Sequence, residues 1–165
     1  DFDPNEEKKE NIVKKEVDVN AIIHAAIDDT MLQGKEKDIL TTLDIPTNIT
    51  VWGDSSLIYG IFRNLIDNSI AYAVGATTID ISCIKRDNHY EFVISDNGCG
   101  VPKEHLPHIF ERFYRVDKGR TRKLGGTGLG LAIVKNAVIL HHGNITAYAT
   151  PGGGLSVKFT LPSIS

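Results

Sequence analysis

The chain has 165 residues, a formal net charge of −3 and 41% hydrophobic residues, which suits one domain with a single substantial core. The slight acidic balance argues against a dedicated nucleic-acid binder, and no apolar run approaches the roughly 18 residues that a membrane-spanning helix needs. Cys83 and Cys99 are in no metal-ligand or redox spacing and the six histidines form no paired motif, which argues against a zinc or thiol-redox centre and points to reduced, cytosolic thiols.

Residues 1–16 are strongly charged (Glu6-Glu-Lys-Lys-Glu10, Lys14-Lys-Glu16) and are expected to be a linker stub of a longer protein, ahead of one domain over 17–165. Asn20 is expected to cap a helix carrying Ile22, Ile23, Ala26, Ile27 and Leu32 at helical spacing. Residues 38–45 and 47–52 read as short strands separated by Pro46. Asp54 or Ser55 then caps the longest helix, 57–74, where Ile58, Ile61, Phe62, Leu65, Ile66 and Ile70 form a broad apolar stripe ended by Gly75. On the same helix Asn64, Asn68 and Tyr72 recur every four residues along one face. Each amide alone suits a solvent-facing position, yet a buried one needs a polar partner, because leaving it unsatisfied costs on the order of 1–3 kcal/mol.

Residues 77–85 and 90–95 alternate with period two about the polar turn Arg86-Asp87-Asn88, an antiparallel hairpin. Asp96-Asn-Gly-Cys-Gly-Val-Pro102 begins as a turn signal but enters a long, charged, irregular stretch to residue 123, and such loops in compact domains are usually lids or binding loops. A glycine cluster, Gly125-Gly-Thr-Gly-Leu-Gly130, then meets a helix over 129–140. The unpaired N–H groups and positive dipole end of a helix N-terminus suit phosphate, and glycines let it approach. A Walker loop is excluded because Gly130 is followed by Leu131-Ala132, and a dinucleotide fingerprint because Leu131 takes its third glycine place. His141-His142-Gly143 stops the helix, and residues 145–149 and 155–161 form a second hairpin about Thr150-Pro-Gly-Gly-Gly154. The expected fold is α+β, a two-layer sandwich with a mixed, mostly antiparallel sheet of about five strands covered on one face by three helices.

Asn64-Leu-Ile-Asp-Asn68, Asp96-Asn-Gly-Cys-Gly100, Ile109-Phe-Glu-Arg-Phe-Tyr-Arg115 and Gly126-Thr-Gly-Leu-Gly-Leu131, in this order, resemble the N box, first glycine box, F box and second glycine box of sensor histidine kinases. Gly152 to Pro162 resembles that family's closing strand. The resemblance covers roughly residues 18–162, and four motifs in register are specific where each alone is weak. It implies the Bergerat fold of an ATP-binding catalytic domain with a long ATP lid. Asp96 would then accept from the adenine 6-amino group, Gly98, Gly100 and Val101 would shape the turn under the base, and Tyr72 would lie against the ring. Asn68 would ligate Mg²⁺ beside Asn64. Gly126, Thr127, Gly128, Leu129, Gly130 and Leu131 would contact phosphates, Arg115 would approach the γ-phosphate in a catalytic role with Asn64, and Phe110 and Phe113 would anchor the lid. A carboxylate favours adenine, whose edge offers an amine donor, over guanine, whose carbonyl accepts.

Where hydrolytic relatives carry a water-activating glutamate this chain has Asn64, which cannot act as a general base, so ATP binding with slow hydrolysis is expected. Ala71 stands where the family usually has lysine or arginine, leaving Lys118, Arg120, Arg122 or Lys123 to supply a cation near the phosphates. No histidine followed by an acidic residue supplies the phosphoacceptor. The expected partners are therefore a dimerisation and phosphoacceptor helical segment of the parent kinase, homodimeric in full length, and a response regulator. The parent would be membrane-anchored with this domain cytoplasmic. A non-catalytic nucleotide-binding module of the same fold is the alternative; an anti-sigma-factor serine kinase fits less well because the block from Phe110 to Arg115 marks histidine kinases.

Overall fold

The computed structural model describes residues 12, 14–114 and 130–164. Five strands form the main sheet in the order β2-β4-β5-β7-β6, namely β2 (Leu40–Asp44), β4 (Thr78–Lys85), β5 (His89–Asp96), β7 (Leu155–Pro162) and β6 (Ile145–Ala149). Only the edge pair β2/β4 is parallel; the others run antiparallel. A separate two-stranded antiparallel ribbon joins β1 (Lys15–Asp18) to β3 (Thr50–Gly53). Three helices, α1 (Val19–Glu36), α2 (Ser55–Tyr72) and α3 (Gly130–Leu140), complete the expected two-layer sandwich.

Period-two alternation gives the sheet one apolar face. β4 buries Ile79, Ile81 and Cys83, β5 buries Tyr90, Phe92, Ile94 and Asp96, and β7 buries Val157, Phe159 and Leu161. Phe92 and Phe159 are direct cross-strand partners whose rings stack at 5.1 Å. Phe62 of α2 meets both edge-on at 5.4 and 5.5 Å, so the stripe of α2 is keyed to the centre of the sheet through three aromatic rings.

Several elements depart from the sequence expectation for identifiable reasons. Asp18, not Asn20, caps α1, its carboxylate accepting from the Ala21 N–H at 3.2 Å. Asn20 is used as a clip: it donates to Pro46 O at 2.8 Å and accepts from the Ile49 N–H at 2.7 Å, which ties the β2–β3 connection to the helix. Leu32, expected in the apolar stripe, is 69% exposed. β1, which includes Lys15 and Glu16, had no sequence signal, because Val17 is its one buried side chain.

Of the two expected candidates, Asp54 caps α2, accepting from the Ser56 and Leu57 N–H groups, and Ser55 is the first residue of the helix. At the far end of α3 the chain turns through His142 at φ 63°, and the Gly143 N–H returns to Val138 O at 2.9 Å. Buried His141 links the two helices: the Asp54 N–H donates to its Nε2 at 3.0 Å, so Nδ1 carries the proton given to Ala137 O at 2.7 Å.

Candidate functional site

The site is built where the C-terminal half of α2 passes the end of β5. Asp96, the last residue of β5, is 3% exposed and its carboxylate is surrounded by donors. Oδ1 accepts from the Gly98 N–H at 3.0 Å and from the Leu155 N–H at 3.2 Å; Oδ2 accepts from the Ser69 hydroxyl at 3.1 Å. A carboxylate offers about four acceptor positions, so these three bonds leave one on Oδ2.

The next residue faces the other way. Asn97 accepts from the Thr77 and Thr78 N–H groups at 2.8 and 3.0 Å and donates to the Thr77 hydroxyl at 2.8 Å, pinning the loop to the start of β4. The two side chains thus divide the turn: Asn97 ties it to the start of β4, and Asp96 ties it to α2 and to the start of β7. Gly98 lies so close to the end of α2 that a Cβ there would sit 2.7 Å from the Ala73 Cβ. Under this loop, Gly154 of the β6–β7 turn presses on Asp96, and a Cβ on Gly100 would lie 3.1 Å from Gly154 O.

Asn64, Asn68 and Tyr72 are half-buried along one side of α2. The Asn64 Nδ2 donates to Gly60 O at 2.7 Å, which sets the amide orientation. Its Oδ1 is then directed at the start of α3, 3.4 Å from where a Cβ on Gly130 would be. Tyr72 ends the helix beside the loop, its carbonyl 3.9 Å from the Cys99 sulfur. Val101 and Leu131 are partly buried and pack on the core. Arg115, Gly126, Thr127, Gly128 and Leu129 lie outside the described residues.

In the F-box segment the anchoring residues are Ile109, 6% exposed, and Phe110, packed against the core. Phe113 does not anchor: it is 60% exposed at φ 64°, with the Arg112 guanidinium 5.4 Å over its ring. Tyr114 instead holds the segment, hydrogen-bonded to His105 Nδ1 and stacked on His108 at 5.4 Å.

Ser69 and the Leu155 amide had not been expected in the site. The signal for Ser69 was a hydroxyl in the otherwise apolar stripe Leu65, Ile66, Ile70; nothing in the local sequence points to the amide, which arrives across 59 residues.

Among the described residues no group of three or more His, Cys, Asp or Glu could hold a metal ion by itself. The available oxygen donors are the amides of Asn64 and Asn68. That set fits a hard ion already carried by phosphates, since magnesium prefers oxygen and keeps much of its own water.

Burial, with Glu91 nearby, pushes the Cys83 thiol up to about 12, whereas Cys99 is exposed in the site loop. Cys83 therefore favours the folded state below the ordinary thiol range, and this contribution is lost as pH rises toward 12. Below that range Cys99 alone is expected to react with iodoacetamide in the native chain, and saturating Mg-ADP is expected to slow its labelling about tenfold or more. Peptide mass mapping of the labelled protein with and without nucleotide checks both; equal labelling of the two cysteines contradicts the burial argument.

This fold is that of a nucleotide-binding ATPase domain. The chain belongs to the family of histidine kinase-, DNA gyrase B-, and HSP90-like ATPases, whose model matches residues 53–164. Its relatives include the sensor-like histidine kinase SenX3 of Mycolicibacterium smegmatis, 40% identical over 146 residues, which are 88% of this chain and 38% of that protein. The sensor protein kinase WalK of Staphylococcus haemolyticus is 38% identical over 158 residues, 94% of this chain and 26% of that protein. The chain thus spans well under half of these curated relatives.

Among solved structures, the mycobacterial sensor histidine kinase MprB superposes with a TM-score of 0.76 at 29% identity, covering 92% of this chain and 98% of that one. The ATP binding domain of PrrB from Mycobacterium tuberculosis gives 0.74 at 26% identity, covering 92% and 98%. No described helix is long and apolar enough to cross a membrane.

Proposed function

We propose that this chain binds Mg-ATP in the cleft between α2, the Asp96 loop and the start of α3, and donates the γ-phosphoryl group to a histidine on a separate dimerisation segment. The phosphoryl group then passes to an aspartate of a response regulator. The observation that carries the nucleotide reading is the buried Asp96 carboxylate, whose remaining acceptor position on Oδ2 suits the 6-amino group of adenine.

In this reading Asp96 and the Gly98–Gly100 turn hold the base against Tyr72. Asn64 and Asn68 face the triphosphate with amide oxygens, and Asn68 ligates Mg²⁺. When bound, the ion neutralises phosphate charge and orients the phosphoryl group. Gly130 and Leu131 offer N–H groups at the start of α3, Gly126, Thr127, Gly128 and Leu129 would contact the phosphates, and Arg115 would serve the γ-phosphate. Hydrolysis is slow in this reading because Asn64 cannot act as a general base toward water.

The isolated chain is therefore expected to bind ATP while turning it over at well under about 0.01 per second, far below the usual enzymatic range. It is expected to phosphorylate a histidine only when a dimerisation segment is added in trans. Calorimetry with Mg-ADP, phosphate release and radiolabel transfer test these steps in order. Rapid steady-state hydrolysis by the isolated chain would refute the assignment of Asn64.

A further inference from the structure

Ser69 has a place in the site that its neighbours on α2 do not explain. It lies between Asn68, on the polar face, and Ile70, in the apolar stripe, and is 8% exposed. Its hydroxyl reaches 27 residues along the chain to Asp96 Oδ2 at 3.1 Å. The backbone amides of Gly98 and Leu155 hold the other oxygen, so that end of the carboxylate is set by the fold itself. Ser69 is the side chain that decides how much of Oδ2 remains available.

We infer that Ser69 is a positioning and specificity-determining residue: by occupying one acceptor position on Asp96 Oδ2, it leaves room for a single N–H donor and so tunes the site to adenine against guanine. This rests on the reading of Asp96 as the base-recognition group. The adenine edge presents one donor, the 6-amino group, next to the acceptor N1. The guanine edge presents an acceptor, O6, next to two donors, N1–H and the 2-amino group. One open position matches the first edge. Two adjacent ones, as Oδ2 would offer without the Ser69 hydroxyl, admit the second. The hydroxyl also restrains rotation of the carboxylate about the end held by the two amides.

The test titrates Mg-ADP and Mg-GDP into the full chain by calorimetry, for the wild type, Ser69→Ala, Ser69→Cys, Ser69→Thr and Asp96→Asn, with a thermal melt of each. Alanine and cysteine remove the strong donor at little change in volume; threonine keeps it. Ser69→Ala and Ser69→Cys are expected to weaken ADP about three- to tenfold and to lower the ratio of the GDP to the ADP dissociation constant about tenfold, while Ser69→Thr retains a ratio near that of the wild type. If alanine and cysteine lower the melting temperature but leave that ratio unchanged, Ser69 is only a packing residue and the inference falls. If they leave ADP affinity and the ratio both unchanged while Asp96→Asn abolishes ADP binding, the inference falls and the base-site reading stands. A wild-type chain that binds neither nucleotide overturns both.

Discussion

Asp96→Asn is expected to fold and to lose adenine-nucleotide affinity by about 100-fold or more. The folded state survives because the amide oxygen still accepts from the Gly98 and Leu155 N–H groups, and the Ser69 hydroxyl can rotate to accept from the new NH₂. Binding does not survive, because the position left open to the cleft changes from acceptor to donor and meets the adenine amine donor to donor. The loss has two parts, a forfeited hydrogen bond to a charged group and a repulsive contact. Together they come to about 3 kcal/mol or more. The same inversion favours a 6-oxo purine, so the variant is expected to prefer Mg-GDP to Mg-ADP. Calorimetry with both nucleotides beside a thermal melt checks the prediction. ADP affinity within a few-fold of wild type, in a folded variant, would remove Asp96 from base recognition altogether.

The contrast between Asp96 and Ser69 marks how far the site was legible in the sequence. Asp-Asn-Gly at a strand end, and two asparagines four residues apart on a helix, are local patterns with local causes. What completes the carboxylate environment is not local. The Leu155 amide comes from 59 residues away, and Ser69, visible in the sequence only as a hydroxyl in an apolar stripe, meets its partner once α2 is docked on the sheet through Phe62.

The fold divides along the same line. α2 and the hairpin strands β4 and β5 have strong periodicity, set by side chains that must reach one aromatic core. β1 has one buried residue and mostly charged neighbours, and takes strand form only because β3 is there to pair with it. The cap of α1 shifted for a comparable reason. Asp18 and Asn20 both suit an N-cap, but Pro46 and Ile49 present a carbonyl and an N–H that the Asn20 amide serves together and a carboxylate cannot, so tertiary contacts gave Asn20 another task. The motif predicts an anchoring role for Phe113, but with its backbone at φ 64° it is exposed, and the apolar anchoring is done by Ile109 and Phe110.

The largest expected effect on both stability and binding comes from Gly154→Ala, and its meaning depends on comparison with Gly152→Ala. Both glycines have positive φ, 113° and 90°, so alanine at either pays backbone strain of about 1–3 kcal/mol. Around Gly152 nothing lies within 4 Å of the added carbon, and strain is the whole cost. At Gly154 the same carbon would stand 1.9 Å from Asp96 O and 2.9 Å from Asp96 Oδ1. No side-chain rotation relieves the closer contact, because the Asp96 carbonyl is backbone of a strand end held by β4 and β7. The turn must move away from the Asp96 loop, taking with it the Leu155 N–H that fixes Oδ1. Gly154→Ala is therefore expected to cost about 4 kcal/mol or more, near the upper end for single substitutions, and to abolish measurable Mg-ADP binding in the fraction that folds. Gly152→Ala is expected to lose only the strain and to bind Mg-ADP nearly as the wild type does. Urea unfolding with parallel ADP titrations separates the two. Equal losses would mean that the β6–β7 turn yields freely, and that the Asp96 carboxylate is held without it.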